Sequence, residues 1–95
     1  MSEIQRLDKW LWQARFYKTR GLAQRMCAAG KIRINSQRVR KAHYPLKPGD
    51  ILTFPQGSRI RVVRILAMPE RRGPATEAQR CYEEIEGDEA ASSGA

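Results

Sequence analysis

Residues 6–35 read Arg6-Leu7-Asp8-Lys9-Trp10-Leu11-Trp12-Gln13-Ala14-Arg15-Phe16-Tyr17-Lys18-Thr19-Arg20-Gly21-Leu22-Ala23-Gln24-Arg25-Met26-Cys27-Ala28-Ala29-Gly30-Lys31-Ile32-Arg33-Ile34-Asn35. The apolar period changes at Gly30, helical before it and two after it. Leu7, Leu11 and Ala14 fall at i, i+4 and i+7 with Trp10 beside them, which predicts one buried stripe on a helix from Leu7 to Phe16. Arg6, Lys9 and Gln13 project from its other side. Asp8 stands in the first turn, where a carboxylate meets free backbone amides and the positive helix end, so it reads as an organiser rather than a catalyst. Thr19 is the expected N-cap of a second helix, with Leu22, Met26 and Ala29 inward and Arg20 and Gln24 facing away. Gly30 follows as a left-handed stop. The connection is short, so the helices pair as a hairpin. Lys31 to Asn35 then alternates charged and apolar, a half-buried strand with Ile32 and Ile34 inward. Asn35-Ser36 makes a tight turn into a strand over Gln37 to Lys41.

Further along, His43 to Asp50 is a proline-set loop ending in Pro48-Gly49-Asp50, and Ile51 to Phe54 is a strand. Gln56-Gly57-Ser58 turns into the longest strand, Ile60 to Leu66, where Arg61 and Arg64 are out of phase across Val62-Val63. That phasing predicts a bulge or two covered faces. Pro74 opens a last short helix expected to run to about Ile85. Gly87 to Ala95 is small and acidic, and disorder is expected there. The fold class is therefore α+β: a two-helix hairpin packed on a small, mainly antiparallel sheet, plus a short C-terminal helix. One domain is expected over residues 1–85, with an acidic tail at 86–95.

The charge is uneven. Of 95 residues 18 are Lys or Arg and 10 Asp or Glu, a net charge of +8. All 18 bases lie between Arg6 and Arg80, whereas residues 81–95 hold five acids and no base. Between Lys9 and Gly49 there are eleven bases and not one acid. Such a run repels itself, and a polyanionic partner supplies a reason for it. A chain of this length leaves no room for a separate catalytic domain. No apolar run exceeds four residues, far from the roughly 20 a bilayer requires, so no membrane partner is expected. The N-terminus has no apolar signal region, which points to the cytoplasm. Cys27, Cys81 and His43 are one short of a structural zinc set, so neither metal nor cofactor is expected, and both thiols read as small buried hydrophobes. No carboxylate pair, nucleophile–histidine arrangement or glycine-rich phosphate loop is present, and no catalytic residue is expected.

Aromatic residues interleave with the bases: Trp10, Trp12, Phe16, Tyr17 and Tyr44. Trp10 belongs to the core. Trp12 and Phe16 lie toward the polar side of the helix, either to stack on an unpaired base or to bury against the C-terminal helix, the latter reading being favoured.

Four segments keep a familiar order and spacing: Arg6-Leu7-Asp8-Lys9-Trp10-Leu11, Lys18-Thr19-Arg20 with Ala23, Gly30-Lys31-Ile32-Arg33-Ile34-Asn35, and Lys47-Pro48-Gly49-Asp50. Together they resemble the S4 RNA-binding domain, whose helix pair packs on a small, strongly curved sheet (the αL motif). Trp10-Leu11-Trp12, Ala14-Arg15-Phe16 and the later Arg71-Arg72-Gly73-Pro74-Ala75 with Tyr82-Glu83 extend the likeness over about residues 4–85 to the heat-shock protein 15 family of ribosome-associated bacterial proteins. The resemblance implies binding of ribosomal RNA on the large (50S) subunit, in handling of stalled subunits that still carry peptidyl-tRNA. It further implies RNA contacts at Arg6, Lys9, Arg15, Lys18, Thr19, Arg20, Arg25, Lys31 and Asn35, with Arg33 and Lys41 beside them. Guanidinium forks grip phosphates bidentately and ammoniums act as point charges, so recognition is expected to be of shape and backbone. Two departures stand out. Asn35-Ser36 replaces the family's Asn-Gly, and an acidic tail stands where longer members continue with a basic extension. Binding of tRNA or small-subunit RNA, and a role as the detached targeting module of an RNA-modifying enzyme, remain alternatives. A monomer is expected.

Overall fold

The computed structural model describes residues 4–85. Helices α1 (Leu7–Gln13) and α2 (Arg20–Ala28) form the hairpin. Strands β2 (Ile32–Ile34), β3 (Gln37–Val39), β5 (Ile51–Gln56), β6 (Arg59–Ile65) and β7 (Tyr82–Ile85) make one antiparallel sheet in the order β3-β2-β5-β6-β7. Strands β1 (Gln5–Arg6) and β4 (Pro45–Leu46) pair separately. A four-residue helix α3 (Ala75–Ala78) and a 3-10 turn (Gln79–Cys81) precede β7. The result is an α+β fold whose sheet is open at β3 and β7 rather than closed into a barrel.

Helix α1 is shorter than its periodicity predicts because Arg15 takes a left-handed conformation (φ 67°), and the amides of Phe16 and Tyr17 both turn back to the carbonyl of Leu11. Leu7, Trp10, Leu11 and Ala14 are buried as expected. Gln13, expected outside, is buried too. The reason is that the segment after β6 also covers the end of α1: Arg72 Nε donates to the Trp12 carbonyl and Arg15 Nη1 to that of Gly73. In α2 the buried stripe is rotated by one position from the expected one. Ala23 and Cys27 are sealed, Leu22 and Met26 are half-buried, and Ala29 is exposed.

Three local expectations hold. The Thr19 hydroxyl accepts from the Leu22 amide at 3.0 Å, capping α2. Gly30 (φ 72°) ends it in a Schellman motif, with its amide on Cys27 and that of Lys31 on Met26. Asn35 and Ser36 both have positive φ, 51° and 74°, the pair of left-handed residues that a two-residue hairpin turn demands. Their turn sets the β2–β3 register, Ile34 opposite Gln37.

Two expectations are corrected, the bulge offered as one of two readings of β6 and the length of the last helix. The β5–β6 ladder runs unbroken from Ile51↔Arg64 to Gln56↔Arg59, so there is no bulge. Arg61 instead shares the core-facing side with Val63 and Ile65, its guanidinium 5.4 Å from the Phe16 ring centre and ion-paired with Glu84. The helix from Pro74 stops at Ala78, and residues 82–85 form an edge strand. Helical propensity yields there to pairing. Glu83 and Glu84 alternate across the sheet to meet Arg64 and Arg61, while Tyr82 packs against Trp10 and Phe16. Of the acidic tail, residues 86–95 lie outside the described residues.

The core joins both helices to the sheet through Trp10, Phe16, Tyr17 and Phe54 over Leu7, Leu11, Ile32, Leu52, Val63 and Ile65. Phe16 is thus buried, and Trp12 is half-buried with the Arg72 guanidinium 5.8 Å from its ring centre. Burial wins for both rings, against the C-terminal segment and β7 rather than a helix.

Candidate nucleic-acid interface

The first amides of α1 need partners, and the neighbouring chain supplies them. Leu7 N donates to the Tyr44 carbonyl at 2.9 Å, Asp8 N to that of Ala42 at 3.0 Å, and Lys9 N to Asp8 Oδ1 at 2.8 Å. Asp8 is fully buried, yet it is the hub of the surface above it. Arg6 donates Nε and Nη2 to its two oxygens (3.1 and 3.2 Å), Arg20 donates Nε at 3.2 Å, and Gln24 donates its amide at 2.9 Å. Burial by itself pushes the Asp8 carboxyl up, but the hydrogen bonds from Gln24, Arg20 and Arg6 more than undo this and hold it below its ordinary value of 3.8. Arg20 and Gln24, one turn apart, therefore face α1 rather than away from it. Their stems are held while their outer edges stay wet, Arg6 and Arg20 keeping 49% and 37% of their side-chain surface exposed.

Asp50 does the same work at the far turn. Its carboxylate accepts from the Lys47 amide and from Asn35 Nδ2, both at 3.1 Å, while Asn35 Oδ1 accepts from the Ile51 amide at 2.9 Å. Asp8 and Asp50 are the only acids between Arg6 and Asp50, and both are buried. The surface contributed by residues 6–50 consequently carries no carboxylate, a stronger statement than the charge count allows.

Among the expected contact residues, Arg6 and Arg20 are brought together by Asp8, with Lys9 one helical turn from Arg6. Lys18, Thr19 and Arg25 are exposed on and just before α2, and Lys31 and Arg33 on and before β2. Lys41 is exposed in the loop that caps α1. Arg15 stands at the opposite end of α1, bound to the Gly73 carbonyl. Asn35 has both ends of its amide engaged in the turn. Arg38 and Arg40 went unsingled in the sequence. Arg38 lies directly across from Arg33, and the Arg40 guanidinium rests over Gly30. Their membership of the acid-free run was the available signal, but only strand register shows where they stand.

Burial pushes the Cys27 thiol up to about 12, helped by the Asp8 charge, and raises Cys81 as well, so both stay protonated at neutral pH. Among the described residues no three His, Cys, Asp or Glu side chains converge on a metal site, and no helix is long and apolar enough to cross a membrane.

A helix hairpin on an open antiparallel sheet, with arginines clamped over a buried aspartate, defines a small basic module of the nucleic-acid-binding class. The S4 domain matches residues 5–52. Heat shock protein 15 of Escherichia coli (strain K12) is 48% identical over 79 residues, covering 83% of this chain and 59% of its own length. The Haemophilus influenzae homolog is 44% identical over 81 residues, covering 85% of this chain and 61% of its own length. The chain thus spans about three fifths of the curated relatives it matches. The structure of Vibrio cholerae Heat Shock Protein 15, described as trimeric, superposes with a TM-score of 0.85 at 40% identity, covering 94% of this chain and 89% of that one. The chain belongs to the S4 RNA-binding domain family and, within it, to the heat shock protein 15 family.

Proposed function

We propose that the protein is a non-enzymatic, cytoplasmic RNA-binding protein that grips structured ribosomal RNA on the large subunit, where ribosomes stalled with peptidyl-tRNA are handled. The single observation that carries this reading is the Asp8 clamp, which holds Arg6 and Arg20 at fixed positions within a stretch, residues 6–50, whose two carboxylates are both buried. Fixed guanidinium groups beside Lys9, Lys18 and Thr19 suit phosphate oxygens, and pre-organisation lowers the entropy lost on binding.

If about five phosphates are neutralised, log affinity for a ribosomal RNA fragment should fall against log salt with a slope of roughly −3.5 to −4.5. Fluorescence anisotropy over a salt series measures it, and a flat dependence overturns the reading. Lys9→Glu combined with Arg25→Glu, neither of whose side chains bonds to Asp8, should weaken binding at least tenfold with the melting temperature unchanged. Wild-type affinity would place the interface elsewhere. Gradient co-sedimentation with separated subunits tests the large-subunit assignment, with capture by the small subunit as the contrary result.

The protein is further proposed to act as a monomer. Its exposed large apolar residues among those described are Ile4, Ile60 and Leu66, of which Ile60 lies near the start of β6 and Leu66 just past its end, about 20 Å apart. Isolated side chains of this kind do not make an interface. Light scattering coupled to size exclusion should return the chain mass of 10.9 kDa. Three times that mass would overturn the proposal.

A further inference from the structure

A second basic surface feature lies outside the Asp8 clamp. A groove of about 420 Å³ runs along the free edge of β3, lined by Gln37, Arg38, Val39, Arg40, Lys41 and Tyr44. It is a shallow depression open to solvent rather than an enclosed pocket. Its chemistry is selective: three cations, one half-exposed aromatic ring and no acid. Among the described residues no ring or guanidinium stacks on Tyr44, whereas Trp10, Phe16, Tyr17 and Tyr82 all pack on other aromatic rings and Trp12 lies beneath Arg72.

The groove is also pre-set. Tyr44 donates its amide to the Lys41 carbonyl at 3.1 Å and accepts the Leu7 amide at 2.9 Å, which pins it to the start of α1 beside Arg6 and Lys9. Arg38 faces Arg33 directly across the hairpin, a like-charge pair that costs stability unless an anion comes between them. The Arg38 stem and the Arg40 guanidinium fold together over Gly30, where a Cβ would come within 3.3 and 2.9 Å of them. Both side chains thus line the groove while resting on the one neighbour that lacks a side chain. A three-residue, arginine-bearing edge is a poor template for an added peptide strand, which leaves a nucleic acid as the fitting occupant.

We infer that this groove seats one unpaired nucleotide of the bound RNA, the base stacked on Tyr44 and the flanking phosphates held by Arg38, Arg40 and Lys41. The inference rests on the RNA-binding reading above and names the element of RNA structure this part of the surface selects. Base stacking on an aromatic ring is sequence-tolerant, so the groove reads the absence of a pairing partner rather than a base identity.

The test compares two RNAs of equal length, a hairpin with an open loop and a blunt, fully paired duplex, by fluorescence anisotropy. Tyr44→Leu, which keeps an apolar side chain against the core, should lower affinity for the looped RNA by about five- to hundredfold and leave duplex binding unchanged, while Tyr44→Phe should bind like wild type. Equal losses on both RNAs, or none on either, overturn the inference. Failure of the wild type to bind either RNA instead overturns the RNA-binding reading beneath it. Independently of any variant, a loop carrying 5-bromouridine should photo-crosslink to the wild-type peptide containing Tyr44. Crosslinks confined to other peptides also overturn the groove.

Discussion

Asp8→Ala is expected to cost about 3 kcal/mol of folding stability, near the lower end for removing one partner of a buried ion pair, because Arg6 and Arg20 keep access to water. Arg6, Arg20, Gln24 and the Lys9 amide lose their common acceptor together, and the two guanidinium groups lose their fixed spacing. Binding of ribosomal RNA should therefore weaken by more than the unfolded fraction explains. Urea titration gives the first quantity, and anisotropy at a temperature where the variant is folded gives the second. A variant of wild-type stability would show that the hub is decorative. The same carboxylate sets an acid limit. Its folded-state pKa lies below the ordinary 3.8, so its contribution is full above that value and is lost as pH falls through the folded one. The melting temperature of the wild type should accordingly drop in that acid window, and Asp8→Asn should lack this part of the pH dependence.

Trp10→Ala carries the largest expected effect on stability, about 3–5 kcal/mol. A domain's whole stability is about 5–15 kcal/mol, so the variant should lie near the folding threshold. The ring is fully buried, donates Nε1 to the Ala67 carbonyl at 3.1 Å, and packs on Phe16 and Tyr82 with centroids 5.7 and 6.3 Å away. Its loss would uncouple α1 from both the segment after β6 and strand β7. The urea midpoint should fall steeply, and a shift of less than 1 kcal/mol would mean the site collapses around the cavity.

The legible parts of this molecule are those with a local cause. The Thr19 cap, the Gly30 stop, the alternation of Ile32 and Ile34 and the Asn35-Ser36 turn each depend on residues within a few positions of one another, and each stands where the sequence places it. The stripe on α1 was legible for the same reason, as one periodic face of a helix. What went astray depended on remote partners. Gln13 is buried because Arg72 and Gly73 return to the end of α1, and the face of α2 is rotated because Arg20 and Gln24 reach for a carboxylate on another helix. Residues 82–85 become a strand because Arg61 and Arg64 await their glutamates across the sheet.

The candidate interface divides in the same way. Its charge and its acid-free character were determined by the sequence alone, since eleven bases without an acid between Lys9 and Gly49 cannot be neutralised from within that stretch. Only the tertiary structure decided how that charge is presented. Burial of Asp8 and Asp50 turned the stretch's two flanking acids into internal scaffolding, and strand register set Arg38 against Arg33 and opened the groove at Tyr44. Charge is a sum over residues and survives any folding, whereas burial and cross-strand register exist only once distant segments meet.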